Sequence, residues 1–265
     1  MKTIPTYEAY CFDLDGTIYV GDKILPGVIN TITQLQQLRK HICFISNSPT
    51  QTRQDVVEKL RKFNIHITAE QVITSAYLTA QYVLEHLSTS ISYIVGEAAI
   101  DKEFQDKQLQ TTTEPLHATH VIIGLDRQIT FDKLNNAMIA VRNGAQIIVT
   151  NPDQACPGPS GFQVDTMAIA KAVEVASDST IDFIVGKPSL YFAEHIVRMI
   201  DVKREKFLII GDRIETDITL GNLAGIDTCF VLTGASTLEQ LKGISYKPKF
   251  IIKTMHELYT ALTSY

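Results

Sequence analysis

Two aspartates stand directly after the first apolar segment of the chain. The run at residues 9–12 (Ala-Tyr-Cys-Phe) leads into Asp13 and Asp15, and Gly16 follows them. A short apolar run bounded by turn residues predicts a buried strand. Because side chains alternate along a strand, we expect the two carboxylates on one face, where they repel each other unless a cation or a shared proton intervenes. The pair therefore predicts a metal site, an acid/base site, or both.

Further chemically active residues follow other apolar runs. Ser46 and Asp212 each come at the end of such a run, and Lys187 comes shortly after the run at residues 182–185. In open parallel sheets, ligands bind beyond the carboxyl ends of the strands, so strands of one sheet would bring these side chains into one pocket. Carboxylates can hold Mg²⁺ or attack phosphorus, while a lysine and a hydroxyl can hold phosphoryl oxygens. This set of residues suits phosphoryl transfer.

Each of these motifs also has an ordinary structural explanation. The paired aspartates can form a turn or a cap, and Ser46-Asn47 can be a turn or a helix cap. Lys187 can be a solvated loop lysine, and Asp212 with Asp217 can cap a helix and favour its dipole. The combination of all four motifs, in this order on a regular pattern of elements, favours the functional interpretation.

Strand-like and helix-like segments alternate along almost the whole chain, which predicts an α/β fold with a parallel sheet covered by helices on both faces. Residues 18–25 are expected to form a turn or short flap, and residues 156–161 a proline- and glycine-rich loop. The charge cluster at residues 102–107 is expected on a solvated helix face. Predicted strands lie at 9–12, 41–45, 72–75, 91–95, 121–125, 145–149, 182–185, 207–210, 228–232 and 250–252, and predicted helices at about 26–38, 52–63, 80–87, 130–143, 167–176, 189–200 and 255–262.

Composition places the chain among soluble globular proteins. Its 265 residues are 45% hydrophobic and 20% charged, and the net charge of −5 argues against a general nucleic-acid-binding surface. No signal peptide and no apolar run of about 20 residues is evident, which predicts a protein without a membrane anchor. The widely spaced cysteines Cys11, Cys43, Cys156 and Cys229 predict free thiols, and together these features predict a cytoplasmic location.

The motifs together resemble the four signature motifs of the haloacid dehalogenase (HAD) superfamily in its phosphatase form. They are residues 13–17 (Asp-Leu-Asp-Gly-Thr), Ser46-Asn47, Lys187-Pro188 and residues 211–217 (Gly-Asp-Arg-Ile-Glu-Thr-Asp). The resemblance covers nearly the whole chain. It implies a Rossmann-like parallel-sheet core that carries an inserted, smaller α/β cap domain.

The long insert is similar to the α/β cap of NagD-like phosphatases, because residues 124–127 and 150–153 match cap segments of that group. Residues 161–166 (Gly-Phe-Gln-Val-Asp-Thr) are closer to AraL-like sugar-phosphate phosphatases. The resemblance therefore implies a core made of residues 1–78 and 184–265, with a cap at residues 79–183. The cap is expected to close over the core, exclude water and select the leaving group.

The resemblance implies distinct roles for the acidic residues. Asp13 would be the nucleophile, and Asp15 the general acid that protonates the leaving alcohol and then the base that activates water. Mg²⁺ would be held by Asp13, by the backbone carbonyl of Asp15 and by Asp212. Asp217 would orient metal-bound waters or Lys187 from outside the metal's own ligand set.

The remaining site residues are expected to bind the phosphoryl group or the substrate. Ser46 and Lys187 would hold the phosphoryl oxygens, and the amides of Leu14, Gly16 and Asn47 would add donors. The candidates for the cap are Asp126, Asn151 and Asp153, although Asn-Pro-Asp is also an ordinary turn sequence.

The leading hypothesis is thus a Mg²⁺-dependent phosphatase of small phosphomonoesters, with sugar phosphates as substrates and aryl phosphates such as p-nitrophenyl phosphate also hydrolysed. The same chemistry on nucleoside monophosphates or pyridoxal phosphate is the nearer alternative. A phospho-aspartate signalling module without turnover, or an inactive scaffold, would be a different class, disfavoured by Asp15 and by the long insert. The expected partner is a small phosphorylated metabolite, and the resemblance adds a homodimer as an expectation.

Overall fold

The computed structural model describes residues 4–158 and 161–263, and the chain divides into two compact units. The first unit consists of residues 1–46, 56–73 and 187–265, and the second of residues 47–55 and 74–186. The predicted cap, residues 79–183, falls inside the second unit, which also includes short segments on either side of it and the separate stretch at 47–55.

Strands and helices alternate as the sequence pattern predicts. In the part of the chain that the structure describes, the strands are β1 (Ala9–Asp13), β2 (Tyr19–Val20), β3 (Lys23–Ile24), β4 (His41–Ser46), β5 (Val72–Thr74), β6 (Ile91–Val95), β7 (Gln110–Thr111), β8 (His120–Ile123), β9 (Gln146–Val149), β10 (Ala155–Gly158), β11 (Gly161–Val164), β12 (Phe183–Ile184), β13 (Phe207–Gly211), β14 (Asp227–Val231) and β15 (Phe250–Ile252). The α-helices are α1 (Val28–Gln37), α2 (Arg53–Lys62), α3 (Ser75–His86), α4 (Ala98–Asp106), α5 (Phe131–Arg142), α6 (Thr166–Ser177), α7 (Leu190–Ile200), α8 (Thr219–Ala224) and α9 (Met255–Thr263).

The first unit is built on a six-stranded sheet in the order β15-β14-β13-β1-β4-β5. Its central strands β13, β1 and β4 pair in parallel, and every residue of β1 is buried, as its apolar sequence predicts. Helices α1 and α9 contribute their apolar faces to the same core through Val28, Ile32, Leu35, Met255, Leu258 and Leu262. The predicted flap is a two-stranded antiparallel hairpin of β2 and β3.

The register of the central strands brings their carboxyl ends to one edge of the sheet. Phe12 pairs with Ile210 of β13, and Asp13 pairs with Ile45 of β4. The residues that follow these partners, Asp212 and Ser46, therefore come at the same edge as Asp13, which is where open parallel sheets bind ligands.

The second unit has its own five-stranded parallel sheet, in the order β12-β9-β8-β6-β7. A separate core of aliphatic side chains from β8, β9, α5 and α6 stabilises it. Thr130 caps α5 by accepting a hydrogen bond from the Lys133 backbone N–H. Strands β10 and β11 form an antiparallel pair where the sequence predicts only a loop, and the loop's middle residues, 159 and 160, lie outside the described residues.

Two further local expectations need correction. The strand expected at 72–75 ends at Thr74, because Thr74 caps helix α3 and Ser75 already belongs to that helix. The charge cluster is only partly solvated: Lys102 and Asp106 are exposed and paired, but Glu103 is 4% exposed and accepts a hydrogen bond from the Arg53 backbone N–H.

The four cysteines are thiols and not disulfides, as their wide spacing predicts. Cys11, Cys43 and Cys229 are buried and Cys156 is half-buried. Across residues 4–158 and 161–263, no helix has the length and the apolar character that crossing a membrane requires.

Candidate active site

Asp13 is the last residue of the central strand β1 and is 8% exposed. It is buried because β1 is flanked by β13 and β4 and carries apolar residues up to Phe12. Ser46 ends the neighbouring strand β4 and is likewise buried. The sheet thus places a carboxylate and a hydroxyl, both predicted from the sequence, at the ends of adjacent strands.

Lys187 bridges two carboxylates in the interior of the first unit. Its Nζ donates to Asp13 Oδ1 and to Asp217 Oδ1, each at 2.6 Å, and the side chain is 1% exposed. Burial alone would lower the pKa of this lysine, but Asp13 and Asp217 outweigh that effect and raise the pKa above its ordinary value. Lys187 is therefore a fixed positive charge beside Asp13, not a solvated loop lysine.

Asp212 and Asp217 complete the acidic cluster. Asp212 directly follows β13, and Asp217 lies in a single π-helical turn, Ile214–Ile218, where its Oδ2 accepts the Arg213 backbone N–H at 3.1 Å. The carboxylates of Asp13, Asp212 and Asp217 offer oxygens that all lie within 4.8 Å of one another. Asp217 contacts Lys187 directly, and its role in orienting Lys187 or metal-bound waters stays a prediction.

The three carboxylates of this cluster are buried close together, and both the burial and their mutual repulsion disfavour their ionised forms. Burial raises the pKa of Asp13 to about 7, with Asp212 adding to the rise and Lys187 opposing it. Burial also raises the pKa of Asp212 to about 6, helped by Asp217, and the pKa of Asp217 to about 6, helped by Asp13 and opposed by Lys187. One ammonium group does not neutralise three carboxylates, so the cluster suits a divalent cation with a preference for oxygen ligands.

The turn after β1 holds Asp15. Asp15 is exposed to solvent, yet desolvation by the surrounding chain raises its pKa, opposed by Lys59, Lys187 and Arg213. Gly16 adopts a positive φ of 91°, and its N–H donates to the Tyr19 carbonyl at 2.8 Å. Gly16 therefore shapes this turn, and the phosphate-binding roles of the Leu14 and Gly16 amides stay predictions.

Four of the predicted residues belong to the second unit. Asp153 Oδ2 accepts hydrogen bonds from the Asn47 side chain at 3.0 Å and from the Asn151 side chain at 2.9 Å, so these three residues form one polar cluster. Asp126 has other partners: it is buried, pairs with Lys133 at 2.6 Å and accepts the Gln128 backbone N–H. Contact of any of them with substrate stays a prediction.

One segment of the site is not predicted by the sequence analysis. The Ala235 N–H donates to Asp212 Oδ2 at 2.6 Å, and the Thr233 hydroxyl donates to the Gly16 carbonyl at 2.6 Å. The sequence does contain an indication of this segment. Thr233 and Gly234 come directly after the predicted strand at 228–232, and the other site residues also come at or after the ends of predicted strands.

Comparison with known proteins agrees with this geometry. Residues 10–110 match the family described as haloacid dehalogenase-like hydrolase, and residues 184–258 match the family described as HAD-hydrolase-like. An acid sugar phosphatase of Staphylococcus epidermidis is 34% identical over 250 residues, which cover 94% of this chain and 96% of that protein. The chain belongs to the haloacid dehalogenase-like hydrolase family.

Solved structures of other members have the same architecture as this HAD phosphatase. The 4-nitrophenylphosphatase of Thermotoga maritima superposes with a TM-score of 0.91 at 32% identity, covering 97% of this chain and 98% of that one. NagD from E. coli K-12 superposes with a TM-score of 0.86 at 27% identity, covering 95% and 98%. The NagD-like HAD phosphatase identity, expected from the four motifs together with the segments at residues 124–127 and 150–153, is thus confirmed.

Proposed function

We propose that this HAD phosphatase is Mg²⁺-dependent, that its substrates are small sugar phosphates, and that it also hydrolyses aryl phosphates. The observation that carries the proposal is the buried cluster in which Lys187 bridges Asp13 and Asp217 beside Asp212. The substrate class is supported by similarity to an acid sugar phosphatase and to a 4-nitrophenylphosphatase.

Asp13 is the proposed nucleophile. One of its carboxylate oxygens attacks phosphorus, the bond from phosphorus to the ester oxygen breaks, and Asp15 gives a proton to the departing oxygen. Water then attacks the phosphorus of the aspartyl phosphate while Asp15 takes up a proton. The bond to Asp13 breaks, inorganic phosphate leaves, and both aspartates return to their initial state.

Lys187 has two functions in this scheme. It holds the Asp13 carboxylate in a fixed orientation, and its positive charge stabilises negative charge that develops on the phosphoryl oxygens. Ser46, buried at the end of the next strand, is the proposed neutral donor to the same oxygens. The raised pKa of Asp15 suits a group that must carry a proton in the first step.

Mg²⁺ fits the residues present. The donors are hard carboxylate oxygens. Burial, and secondarily the neighbouring carboxylates, raise the pKa values of Asp13 and Asp212, and a divalent cation would favour the ionised forms of both. Asp13, Asp212 and the backbone carbonyl of Asp15 are the proposed ligands, with Asp217 outside them. When bound, Mg²⁺ supplies Lewis-acid polarisation of the phosphoryl group.

The proposed partner is a small phosphorylated metabolite, not nucleic acid or a membrane, and the proposed location is the cytoplasm. The net charge of −5 disfavours binding to phosphate-rich polymers, and free buried thiols such as Cys11 are typical of reducing compartments. A homodimer stays a prediction of the family resemblance.

A substrate panel tests the proposal directly. The purified protein is assayed with sugar phosphates, p-nitrophenyl phosphate, nucleoside monophosphates and pyridoxal phosphate, with Mg²⁺, with chelator, and with Mg²⁺ restored. We expect sugar phosphates to give the highest kcat/KM and activity to follow Mg²⁺. A higher kcat/KM for nucleotides or pyridoxal phosphate would contradict sugar phosphates as the substrate class. Activity that is unchanged by the chelator would contradict the dependence on Mg²⁺.

A further inference from the structure

The segment Thr233-Gly234-Ala235 touches two elements of the site at once. It follows β14, the strand next to β13, and so reaches the carboxyl edge of the sheet. The Ala235 N–H holds one oxygen of Asp212, and the Thr233 hydroxyl holds the Gly16 carbonyl, both at 2.6 Å. Asp212 and Gly16 are 196 positions apart in the chain, and this segment ties them together.

Gly234 fits against the Asp212 carboxylate so closely that a side chain there has no room. A Cβ atom built at Gly234 would lie 1.9 Å from Asp212 Oδ2, and one built at Gly16 would lie 2.5 Å from the same oxygen. The Thr17 hydroxyl lies 3.4 Å from the other oxygen, Asp212 Oδ1. The carboxylate is thus confined by two glycines as well as held by a backbone amide.

Ser236, the residue after this segment, supports the main chain of Asp212. The Ser236 N–H donates to the Asp212 carbonyl at 3.2 Å, and the Ser236 hydroxyl accepts the N–H of Ile214 at 3.2 Å. Both ends of Asp212, its carbonyl and its carboxylate, are therefore anchored by one loop. Such support fixes a ligand before a metal arrives and reduces the conformational freedom that binding would otherwise remove.

We propose that residues 233–235 are a positioning element that holds the Asp212 carboxylate and the turn containing Asp15 and Gly16 in the arrangement that binds Mg²⁺. The inference rests on the Mg²⁺ site proposed above. Thr233, Gly234 and Ala235 act through Asp212 and Gly16, and they take no part in bond making or breaking.

The test is isothermal titration of Mg²⁺ alone into the metal-free full-length protein. Thr233→Val removes the hydroxyl at nearly constant shape, Thr233→Ser keeps it, and Gly234→Ala displaces the Asp212 carboxylate. Thr263→Val, at an exposed position of α9, is the matched control. We expect the Mg²⁺ dissociation constant to rise about 10–100-fold in Thr233→Val and Gly234→Ala, as for other residues that support metal ligands. Thr233→Ser should stay within about twofold of wild type because it keeps the hydroxyl. The control should do the same because the Thr263 hydroxyl bonds only to carbonyls of its own helix, those of Tyr259 and Thr260.

The outcomes separate this inference from the proposed function. If wild type binds Mg²⁺ and Thr233→Val and Gly234→Ala bind it equally well, the positioning role is overturned while the metal site stands. Equal weakening in Thr233→Val and Thr233→Ser would also overturn the role of the hydroxyl. No Mg²⁺ binding by wild type would overturn the metal site itself, and this inference with it. Thermal unfolding in chelator identifies any variant whose weaker binding only reflects a damaged fold.

Discussion

The Lys187 ammonium group lies 2.6 Å from the Asp13 carboxylate, and the two side chains come from positions 174 residues apart in the chain. The same ammonium group contacts Asp217 at 2.6 Å. A buried lysine shared by two carboxylates fixes the orientation of Asp13 and keeps a positive charge where phosphoryl oxygens are expected.

Replacement of this lysine by an uncharged residue of similar length should damage both activity and stability. In Lys187→Met we expect kcat to fall by about 10²–10³-fold, the usual cost of losing one preorganised electrostatic group. We also expect a loss of about 3–5 kcal/mol in unfolding free energy, because Asp13 and Asp217 lose their buried partner. Denaturant unfolding and steady-state kinetics measure the two effects.

Lys102→Met is the matched control for this substitution. Lys102 also pairs with an aspartate, but its side chain is 58% exposed, so its loss should cost about 0–1 kcal/mol and leave kcat unchanged. Wild-type kcat in Lys187→Met would contradict the role assigned to this lysine.

Removal of metal should stop catalysis and lower stability. With chelator we expect no hydrolysis of p-nitrophenyl phosphate, and with Mg²⁺ at about 100 times its dissociation constant a gain of about 2.7 kcal/mol in unfolding free energy. Asp212→Asn should lose most of this gain, because a ligand and its charge are removed. Asp201→Asn, an exposed position with φ of 51° that asparagine also tolerates, should keep the full gain. Equal stabilisation of both variants would argue against Asp212 as a ligand.

The polar cluster around Asp153 makes a different prediction. Asp153 accepts hydrogen bonds from the amide side chains of Asn47 and Asn151, so Asp153→Ala removes one hydrogen-bond partner from each. Since hydrogen bonds to a charged group contribute about 1.5–3 kcal/mol, we expect KM for a sugar phosphate to rise by about tenfold or more, with a smaller change in kcat. Asp132→Ala, at an exposed position of α5, should leave KM unchanged. If Asp153→Ala behaves like this control, the cluster has no part in substrate binding.

His120 should make stability depend on pH. The imidazole is buried between Thr119 and Gln146, and desolvation lowers its pKa below the ordinary value of 6.5, opposed by Gln146 and Asp182. The unfolded chain therefore binds the proton more tightly, so the stability linked to His120 is complete above pH 6.5 and falls as pH decreases from 6.5 towards the folded-state pKa.

The measurement is the unfolding free energy at several pH values between about 7.5 and 5, a range that spans the ordinary histidine pKa. We expect the loss of stability on acidification to be smaller in His120→Gln than in wild type, and unchanged in His66→Gln, where the histidine is exposed. A pH dependence unaltered by His120→Gln would show that this histidine does not contribute to it.

The sequence predicts most of the strands and the core of the site for a physical reason. Asp13, Ser46 and Asp212 each follow a run of buried apolar residues, and the carboxyl ends of parallel strands converge whatever the loops between them do. Their approach to one another could therefore be predicted without knowing any loop conformation. The placement of Lys187 in the same pocket was predicted from the family motifs rather than from its own surroundings in the sequence, and its direct contact with Asp13 was not predicted.

One contact in the site could not be predicted from residue types, and the burial of one charged residue could have been predicted from helical periodicity. The Ala235 contact with Asp212 is made by a backbone N–H, which leaves no trace in residue type. Glu103 was assigned to a solvated face because of its charged neighbours, but it shares a helix face with the buried Ile100 and Phe104. Helical periodicity therefore indicated that Glu103 is buried, but its charged neighbours led to the prediction of a solvated face.

The most direct test of the central claim is whether phosphate becomes attached to Asp13. In Asp15→Asn, p-nitrophenyl phosphate should still phosphorylate the enzyme, because 4-nitrophenol leaves readily without a general acid, whereas water attack on the intermediate should be slow. Mass spectrometry after acid quenching should then find a phosphoryl group on the peptide that contains Asp13, and Asp13→Asn should show neither this adduct nor turnover. Wild-type-like turnover in Asp13→Asn, or an unmodified Asp13 in a turning-over Asp15→Asn enzyme, would contradict the mechanism.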